Sequence, residues 1–300
     1  MCFAQAQNVY YVKNNGRLVD IKDSADYFRM VSEPDSGSNL YNVKEYYKSG
    51  KVKLIAKSTT IEPQFYEGQL ISFYENGKRD VLAVYNKGLC IQANKYYNNG
   101  KLKSAIEYPE SLANQDNYQK YKLIMYNDST GKELVVNGNG QYSGYDETAF
   151  DRYNTGNIVN GFKDGIWTGE YPKEKTTFIE EYKSGRLVSG ECVTANKKKF
   201  TYKSLETPPN LGDIDNLMGM ITNGIRVEKG YEHGRVLITF IINKDGEATD
   251  FKVKRSLNDE LDRKAVQAVK NALRYLKGIT PGIQYGHPVN ISYTLPVAFG

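Results

Sequence analysis

The chain has 300 residues, of which 40% are hydrophobic and 25% are charged, and its formal net charge at pH 7 is only +5. This length and composition suit a globular chain of two domains, and the mild, mixed charge argues against a nucleic-acid-binding protein. Tyrosine is the unusual component, with 25 residues against 11 phenylalanines. A ring with a polar hydroxyl favours sheets that keep one face close to water over a deep helical core.

The N-terminal segment contains Ala4-Gln5-Ala6, the small-residue pattern of a signal-peptide cleavage site. We predict that residues 1–7 are the remnant of a secretory signal whose charged and apolar parts lie upstream of Met1, and chance alanines are the alternative. The longest strongly apolar run is residues 236–242. A bilayer span needs about 20 such residues, so the sequence predicts no transmembrane helix.

Residues 8–205 repeat a pattern of an aromatic pair, a small-residue turn and a basic restart, as in YYVKNNGRL, EYYKSGKVK, SFYENGKRD, KYYNNGKLK and EYKSGRLVS. Asn and Gly tolerate the positive φ angles of a two-residue type I′ turn, so each copy predicts a β-hairpin. With Asn99 and Gly100 at the centre of the turn, Tyr97 lies opposite Leu102. Such a cross-strand pair contributes only about 0.2–1 kcal/mol, so the hairpins must stack on one another to be stable.

The same register places Tyr47 opposite Val52 and Tyr182 opposite Leu187. The irregular spacing of the turn glycines is that of a degenerate repeat with insertions. The predicted turn glycines are Gly16, Gly50, Gly77, Gly100, Gly131, Gly165 and Gly185.

The copy GFKDGIWTGEY, residues 161–171, has a glycine at every fourth position and resembles a MORN repeat. The Tyr-Tyr-x-x-Gly-Lys units are similar to the MORN-like repeats of bacterial antitoxin-type proteins. This resemblance implies that residues 8–205 form an array of β-hairpins that serves as a spacer or a docking region. The alternative is that the motifs only direct folding and carry no chemistry.

A domain boundary is predicted at residue 206, because Pro208 and Pro209 cannot continue a ladder of strands. Beyond it, residues 236–242 are apolar on both faces, which is the pattern of a central strand, and an alternating return strand follows. Next comes an amphipathic helix that Ser256 or Asn258 can cap. Its apolar stripe consists of Leu261, Ala265, Ala268, Val269 and Ala272.

The last segment, VNISYTLPVAF, alternates throughout and contains Pro296. Proline donates no ladder hydrogen bond, which indicates an edge strand. A right-handed crossover through the helix lays this strand beside residues 236–242 and gives the sheet order 2-1-3. The sequence therefore predicts a mainly β chain whose residues 206–300 form an α+β domain with a three-stranded antiparallel sheet and one packed helix.

Three elements of this domain resemble the TonB C-terminal domain of energy transducers in the double-membraned bacterial envelope. They are GRVLITFIINKDGEATDFKVKRS, the helix DELDRKAVQAVKNAL, and the P-G-x-x-x-G-x-P-V loop at 281–289 that leads into SYTLPVAF. A departure is Tyr-Leu-Lys-Gly at 275–278, where the family commonly has Trp-x-Pro.

The resemblance implies that an extended peptide, the TonB box of an outer-membrane receptor, adds a strand to this sheet. The alternative is an edge that Pro296 blunts and the chain's own repeats cover. By this resemblance the partner-binding residues are Val289, Asn290, Ile291, Ser292, Tyr293, Thr294 and Leu295.

The implied function is that of a non-enzymatic protein of the periplasm or cell envelope, secreted across the inner membrane, that takes part in TonB-dependent, energy-coupled transmembrane transport. Inner-membrane motor proteins become partners only with an anchor upstream of Met1; otherwise the chain is a soluble periplasmic relative that binds without transmitting force. The alternative function is a MORN-like repeat scaffold that binds protein or envelope polymer and has no force-transducing role.

The residues that carry catalytic or metal chemistry form no matching pattern. His233 and His287 show neither ligand nor triad spacing, and NGNGQYSG lacks the lysine and helix of a phosphate loop. Cys90 and Cys192 lack C-x-x-C spacing and lie in strand-like stretches, which favours small buried hydrophobes over ligands, and a disulfide between them stays open. We predict no enzymatic activity, no metal and no cofactor.

Overall fold

The computed structural model describes residues 7–113, 119–146, 152–173, 175–225 and 233–299. The predicted signal remnant lies outside these residues except for Gln7. Contacts along the chain divide it into a first unit, Met1–Lys173 with Glu180–Val188, and a second unit, Glu174–Ile179 with Ser189–Gly300.

The N-terminal part is a long run of antiparallel strands in which β1 pairs with both β2 and β3, and from β3 to β17 each strand pairs with the next along the chain. Within the described residues these strands form one 17-stranded sheet, which confirms the predicted hairpin array. A short helix α1 (Glu110–Ala113) and a 3-10 turn (Lys22–Ser24) interrupt the run. The strands are β1 (Gln7–Val12), β2 (Leu18–Val19), β3 (Tyr27–Ser32), β4 (Tyr41–Tyr47), β5 (Val52–Ser58), β6 (Gly68–Phe73), β7 (Arg79–Asn86), β8 (Leu89–Tyr96), β9 (Leu102–Glu107), β10 (Lys122–Asn127), β11 (Glu133–Val136), β12 (Asn139–Tyr145), β13 (Tyr153–Val159), β14 (Phe162–Tyr171), β15 (Thr176–Lys183), β16 (Arg186–Val193) and β17 (Lys199–Tyr202).

The turns in the Tyr-x-Asn-Gly-Lys copies have three residues, not the two predicted. The amide of Tyr97 donates to the carbonyl of Lys101 at 2.8 Å, and the amide of Gly100, whose φ is +88°, donates back to Tyr97 at 2.7 Å. A type I turn closed by a left-handed glycine is the bulged three-residue hairpin. The predicted register is therefore wrong by one residue, and Leu102 lies opposite Tyr96.

The copy at Ser49-Gly50 shows the same shift, because Val52 lies opposite Tyr46 and not Tyr47. The predicted type I′ geometry does occur at Ser184-Gly185, where φ is 49° and 84°. Gly165 is not in a turn: it lies inside β14 with φ of 69°, where the pairing with β13 shifts register. Two-residue turns with positive φ at both positions also occur at 87–88, 137–138 and 160–161.

The repeated tyrosines and lysines connect one hairpin to the next. In three successive turns, the tyrosine hydroxyl at the start of the turn donates to a main-chain carbonyl in the following hairpin, and the lysine after the glycine donates to a carbonyl of the following turn. The tyrosine bonds are Tyr47 to Phe73 at 2.6 Å, Tyr74 to Tyr96 at 2.6 Å and Tyr97 to Asn127 at 2.8 Å; the lysine bonds are Lys51 to Glu75 and Lys78 to Asn99, both at 2.8 Å, and Lys101 to Thr130.

Among the described residues of the first unit, three pairs of oppositely charged side chains are buried, and one of them is Arg29 with Glu45, 2.9 Å apart. The Lys163 ammonium lies 3.1 Å from Asp146, whose carboxylate also accepts from the amide of Asn154, and it faces the Trp167 ring at 4.5 Å. Burial lowers the pKa of Lys163, against the opposing pull of Asp146. The third pair is Arg152 with Glu180.

The second unit contains a three-stranded antiparallel sheet with the order β20-β19-β23, which confirms the predicted order 2-1-3. Helix α3 packs on one face with its predicted apolar stripe buried, and Asn258 caps it by accepting from the amide of Leu261 at 2.9 Å. A smaller sheet has the order β18-β21-β22. The elements are β18 (Glu206–Thr207), α2 (Ile214–Gly224), β19 (Gly234–Ile242), β20 (Ala248–Arg255), α3 (Asp259–Tyr275), β21 (Gly282–Gln284), β22 (His287–Val289) and β23 (Ile291–Phe299).

Neither Cys90 nor Cys192 forms a disulfide, so the pairing that the sequence left open is not present. Cys192 is buried, as the sequence predicts, whereas Cys90 is half-buried.

Candidate peptide-binding edge

Strand β23 lies at one edge of the three-stranded sheet, with β19 as its neighbour in that sheet. Nine consecutive residue pairs join the two strands, from Gly234 opposite Phe299 to Ile242 opposite Ile291, and the register shifts nowhere between them. Apart from Pro296, which has no amide to donate, such a strand presents the main-chain groups of its outer side at regular intervals, which is the geometry that an added strand requires.

The opposite edge, β20, pairs less regularly with the central strand than β23 does. Its pairing with β19 shifts register twice, and Asp250 has a φ of +53°. Lys252 and Lys254 are exposed along it. Bulges and exposed lysines are the usual protection of an edge against further pairing. The domain therefore has one blunted edge and one regular edge.

The structure divides the predicted site residues among three places. Val289 belongs to β22 and lies opposite Gly282. Asn290 connects β22 to β23, and its side-chain oxygen accepts from the amide of Lys244 at 2.9 Å, so it holds the turn between β19 and β20. The remaining five residues, 291–295, lie together on the edge strand.

Along β23 the side chains alternate between the helix-packed face and the open face of the sheet. Leu295 is buried on the helix-packed face. Tyr293 stacks on Phe240 with a centroid distance of 5.9 Å, and its hydroxyl donates to the carbonyl of Pro209 at 2.8 Å. Ser292 and Thr294 are exposed on the open face. Of these side chains, only the last two are placed to meet a partner.

Sequence reasoning missed Arg235 on the central strand. Arg235 is exposed and lies directly opposite Ala298, whose side chain is only a methyl group. Arg235 therefore lies beside a small residue of the regular edge. In the part of the chain that the structure describes, Arg235 forms no ion pair. The sequence could have indicated Arg235, because the alternation of side chains along the strand 234–242 puts it on the face opposite to Val236.

Two classes of site receive no support from the described residues. No group of three or more His, Cys, Asp or Glu side chains among them could hold a metal ion. None of the helices there has the length and apolar character that crossing a membrane needs.

Residues 226–300 match the family described as Gram-negative bacterial TonB protein C-terminal. This segment is similar to the TonB C-terminal domain. Two solution structures of the Helicobacter pylori TonB C-terminal domain are similar to it. The first is 29% identical, and the match covers 29% of this chain and 91% of that structure's chain. The second is 27% identical, and the match covers 29% of this chain and 78% of that structure's chain. The TM-score is 0.24 for each. No curated protein matches the chain.

The match confirms the resemblance to the TonB C-terminal domain, whereas the MORN-like character of residues 8–205 stays a prediction. The second unit extends beyond the TonB C-terminal domain on its N-terminal side. Helix α2, strand β18 and residues 189–205 belong to the same unit but lie ahead of the match.

Proposed function

We propose that this protein is a non-enzymatic component of TonB-dependent transport that binds the TonB box of an outer-membrane receptor by strand addition to β23. The observation that carries the proposal is the contrast between the two sheet edges: nine unshifted pairs behind β23, and two register shifts with a left-handed Asp250 in β20. A peptide gains most of its affinity from main-chain hydrogen bonds in this mode.

The side chains beside the edge set which peptides bind. Every second side chain of an added strand points to the open face, where it meets Ser292 and Thr294. The ladder spacing is about 4.8 Å per strand, so a peptide side chain opposite Ala298 comes within reach of Arg235. We expect this position of the peptide to favour an acidic or amide residue.

The cellular setting belongs to the same proposal. The protein acts in the periplasm or cell envelope, and the hairpin array serves as a spacer whose hairpins are tied together by the tyrosine and lysine bonds. Bonds that join three successive hairpins, each to the hairpin that follows, suit a spacer that keeps its length under load. Inner-membrane motor proteins are partners only where the chain has a membrane anchor.

The test uses the full chain and a panel of synthetic TonB-box peptides, each made in two alternately N-methylated forms. Methylation of the peptide amides that point at β23 must abolish binding in titration calorimetry, because it removes the main-chain donors. Methylation of the other amides must leave binding unchanged. The side chains are the same in both forms, so a difference between them reports main-chain hydrogen bonds. Equal binding of the two forms, or no binding by any peptide of the panel, would contradict strand addition.

A further inference from the structure

Tyr202 packs the end of the hairpin array against the hairpin β21–β22 within the second unit. Its ring is buried between two glycines. A Cβ atom would come within 2.3 Å of the ring at Gly190 and within 2.7 Å at Gly286. Gly286 also has a φ of +79° in the turn between β21 and β22. Both positions therefore require glycine for the ring to lie where it does.

Main-chain and thiol contacts reinforce this packing. The amide of Tyr285 donates to the carbonyl of Leu205 at 2.7 Å, and β18 pairs with β21 at Glu206 opposite Gln284. The thiol of Cys192 donates to the carbonyl of Tyr285 at 3.2 Å and lies 3.8 Å from Nδ1 of His287. Residues 189–205 therefore contact this hairpin through side chains and main chain together.

The same hairpin leads directly into the candidate binding edge. Strand β22 ends at Val289, and only Asn290 separates it from β23. Gly282 of the hairpin lies against Ile291, the first residue of β23, so closely that a Cβ there would come within 2.5 Å of the Ile291 side chain. A movement of the hairpin must therefore displace the start of the edge strand.

We propose that residues 189–205, with Tyr202 at their centre, position the edge strand for its peptide, so that peptide binding and the packing of these residues are thermodynamically coupled. This inference rests on the proposed function. It adds that a segment ahead of the TonB C-terminal domain controls the binding site. Coupling is reciprocal. If the Tyr202 contacts favour the binding-competent edge, a bound peptide must stabilise those contacts by the same free energy.

The first test compares Tyr202→Ala with Tyr202→Phe in the full chain. We expect the alanine variant to bind a TonB-box peptide about 5- to 150-fold more weakly, the range of typical coupling free energies, and the phenylalanine variant to restore binding. Tyr142→Ala is the matched control, because Tyr142 is an equally buried tyrosine in the first unit. Its affinity for the peptide must equal that of the parent chain. An unchanged affinity in Tyr202→Ala would overturn the coupling.

The second test reads the reciprocal effect without removing any contact. In a Cys2→Ser chain, the buried Cys192 thiol reports local opening of residues 189–205 through its labelling rate, and Cys90 in the first unit is the internal control. We expect saturating peptide to slow labelling of Cys192 by the factor measured in the first test and to leave Cys90 unchanged. A Cys192 rate that the peptide does not alter would overturn the coupling.

The outcomes separate this inference from the proposed function. If only one of the two N-methylated forms binds and peptide does not change the labelling rate of Cys192, strand addition is supported and the coupling is refuted. Absence of peptide binding to the parent chain removes both.

Discussion

At the scale of single residues, tyrosine hydroxyls form hydrogen bonds that connect neighbouring hairpins. The tyrosine before each bulged turn looks like half of a cross-strand pair in the sequence, yet its hydroxyl bonds to the next hairpin, as Tyr74 does to the carbonyl of Tyr96. The hairpin itself could be predicted from Asn-Gly and alternation alone. The bond between hairpins could not, because it depends on how closely two turns stack, which no local pattern encodes.

Replacing Tyr74 with phenylalanine removes this bond and keeps the ring. The partly buried carbonyl of Tyr96 then loses its partner, so we expect the free energy of unfolding of the array to fall by about 1 kcal/mol in urea denaturation. Tyr275→Phe is the matched control, because that side chain is 72% exposed. Equal stability of the two variants would show that the inter-hairpin bond contributes nothing.

The stability of the protein at alkaline pH tests the burial of a second tyrosine, Tyr66. Burial raises the pKa of Tyr66 from 10.0 to about 12, with Glu45 adding to the shift. A folded-state pKa above the unfolded value contributes stability that is complete below pH 10 and is lost as the pH rises towards 12. We expect Tyr66→Phe to reduce this loss by on the order of 2 kcal/mol between pH 9 and pH 12, measured by urea denaturation at each pH. An identical pH dependence in both proteins would contradict the burial argument.

At the scale of elements, two strands show what periodicity reveals and what it misses. Strand β23 alternates in the sequence and is an edge strand, as Pro296 indicates. Strand β14 carries Gly165 in the repeat pattern of a turn, but it continues through that residue as a bulge. Turn and bulge both use a left-handed glycine, so the residue type alone cannot separate them.

The buried pair of Lys163 and Asp146 holds β14 against the end of β12. Lys163→Met leaves the Asp146 carboxylate buried without its cation, so we expect a loss of about 3–5 kcal/mol in the free energy of unfolding. The double variant Lys163→Met with Asp146→Asn should recover most of that loss, because the amide is neutral and still accepts from Asn154. A double variant no more stable than Lys163→Met would refute the charge argument.

At the scale of the whole molecule, the sequence predicts a boundary at residue 206, and the predicted domain 206–300 stays a prediction. Helix, sheet order and edge strand of this domain follow from its apolar patterns and from Pro296. The sequence does not predict that residues 189–205 belong to the second unit, because a strand pattern does not show on which surface the strand packs. Gly286 and Gly190 carry that information only once both are seen beside Tyr202.

A comparison of two fragments tests where the folded unit begins. We expect residues 189–300 to unfold cooperatively at a higher temperature than residues 206–300, because the shorter fragment lacks Tyr202 and the Leu205 carbonyl that bonds to Tyr285. Melting followed by circular dichroism measures the difference. Equal melting temperatures would show that the segment adds no stability to the domain.

Hydrogen exchange of the main-chain amides in the full chain, with and without a TonB-box peptide, tests strand addition at β23 most directly. The account predicts that alternate amides of β23, those pointing away from β19, gain protection when peptide binds, while the amides of β20 keep their rates. Protection that appears in β20 or in the hairpin array, with β23 unchanged, would contradict it.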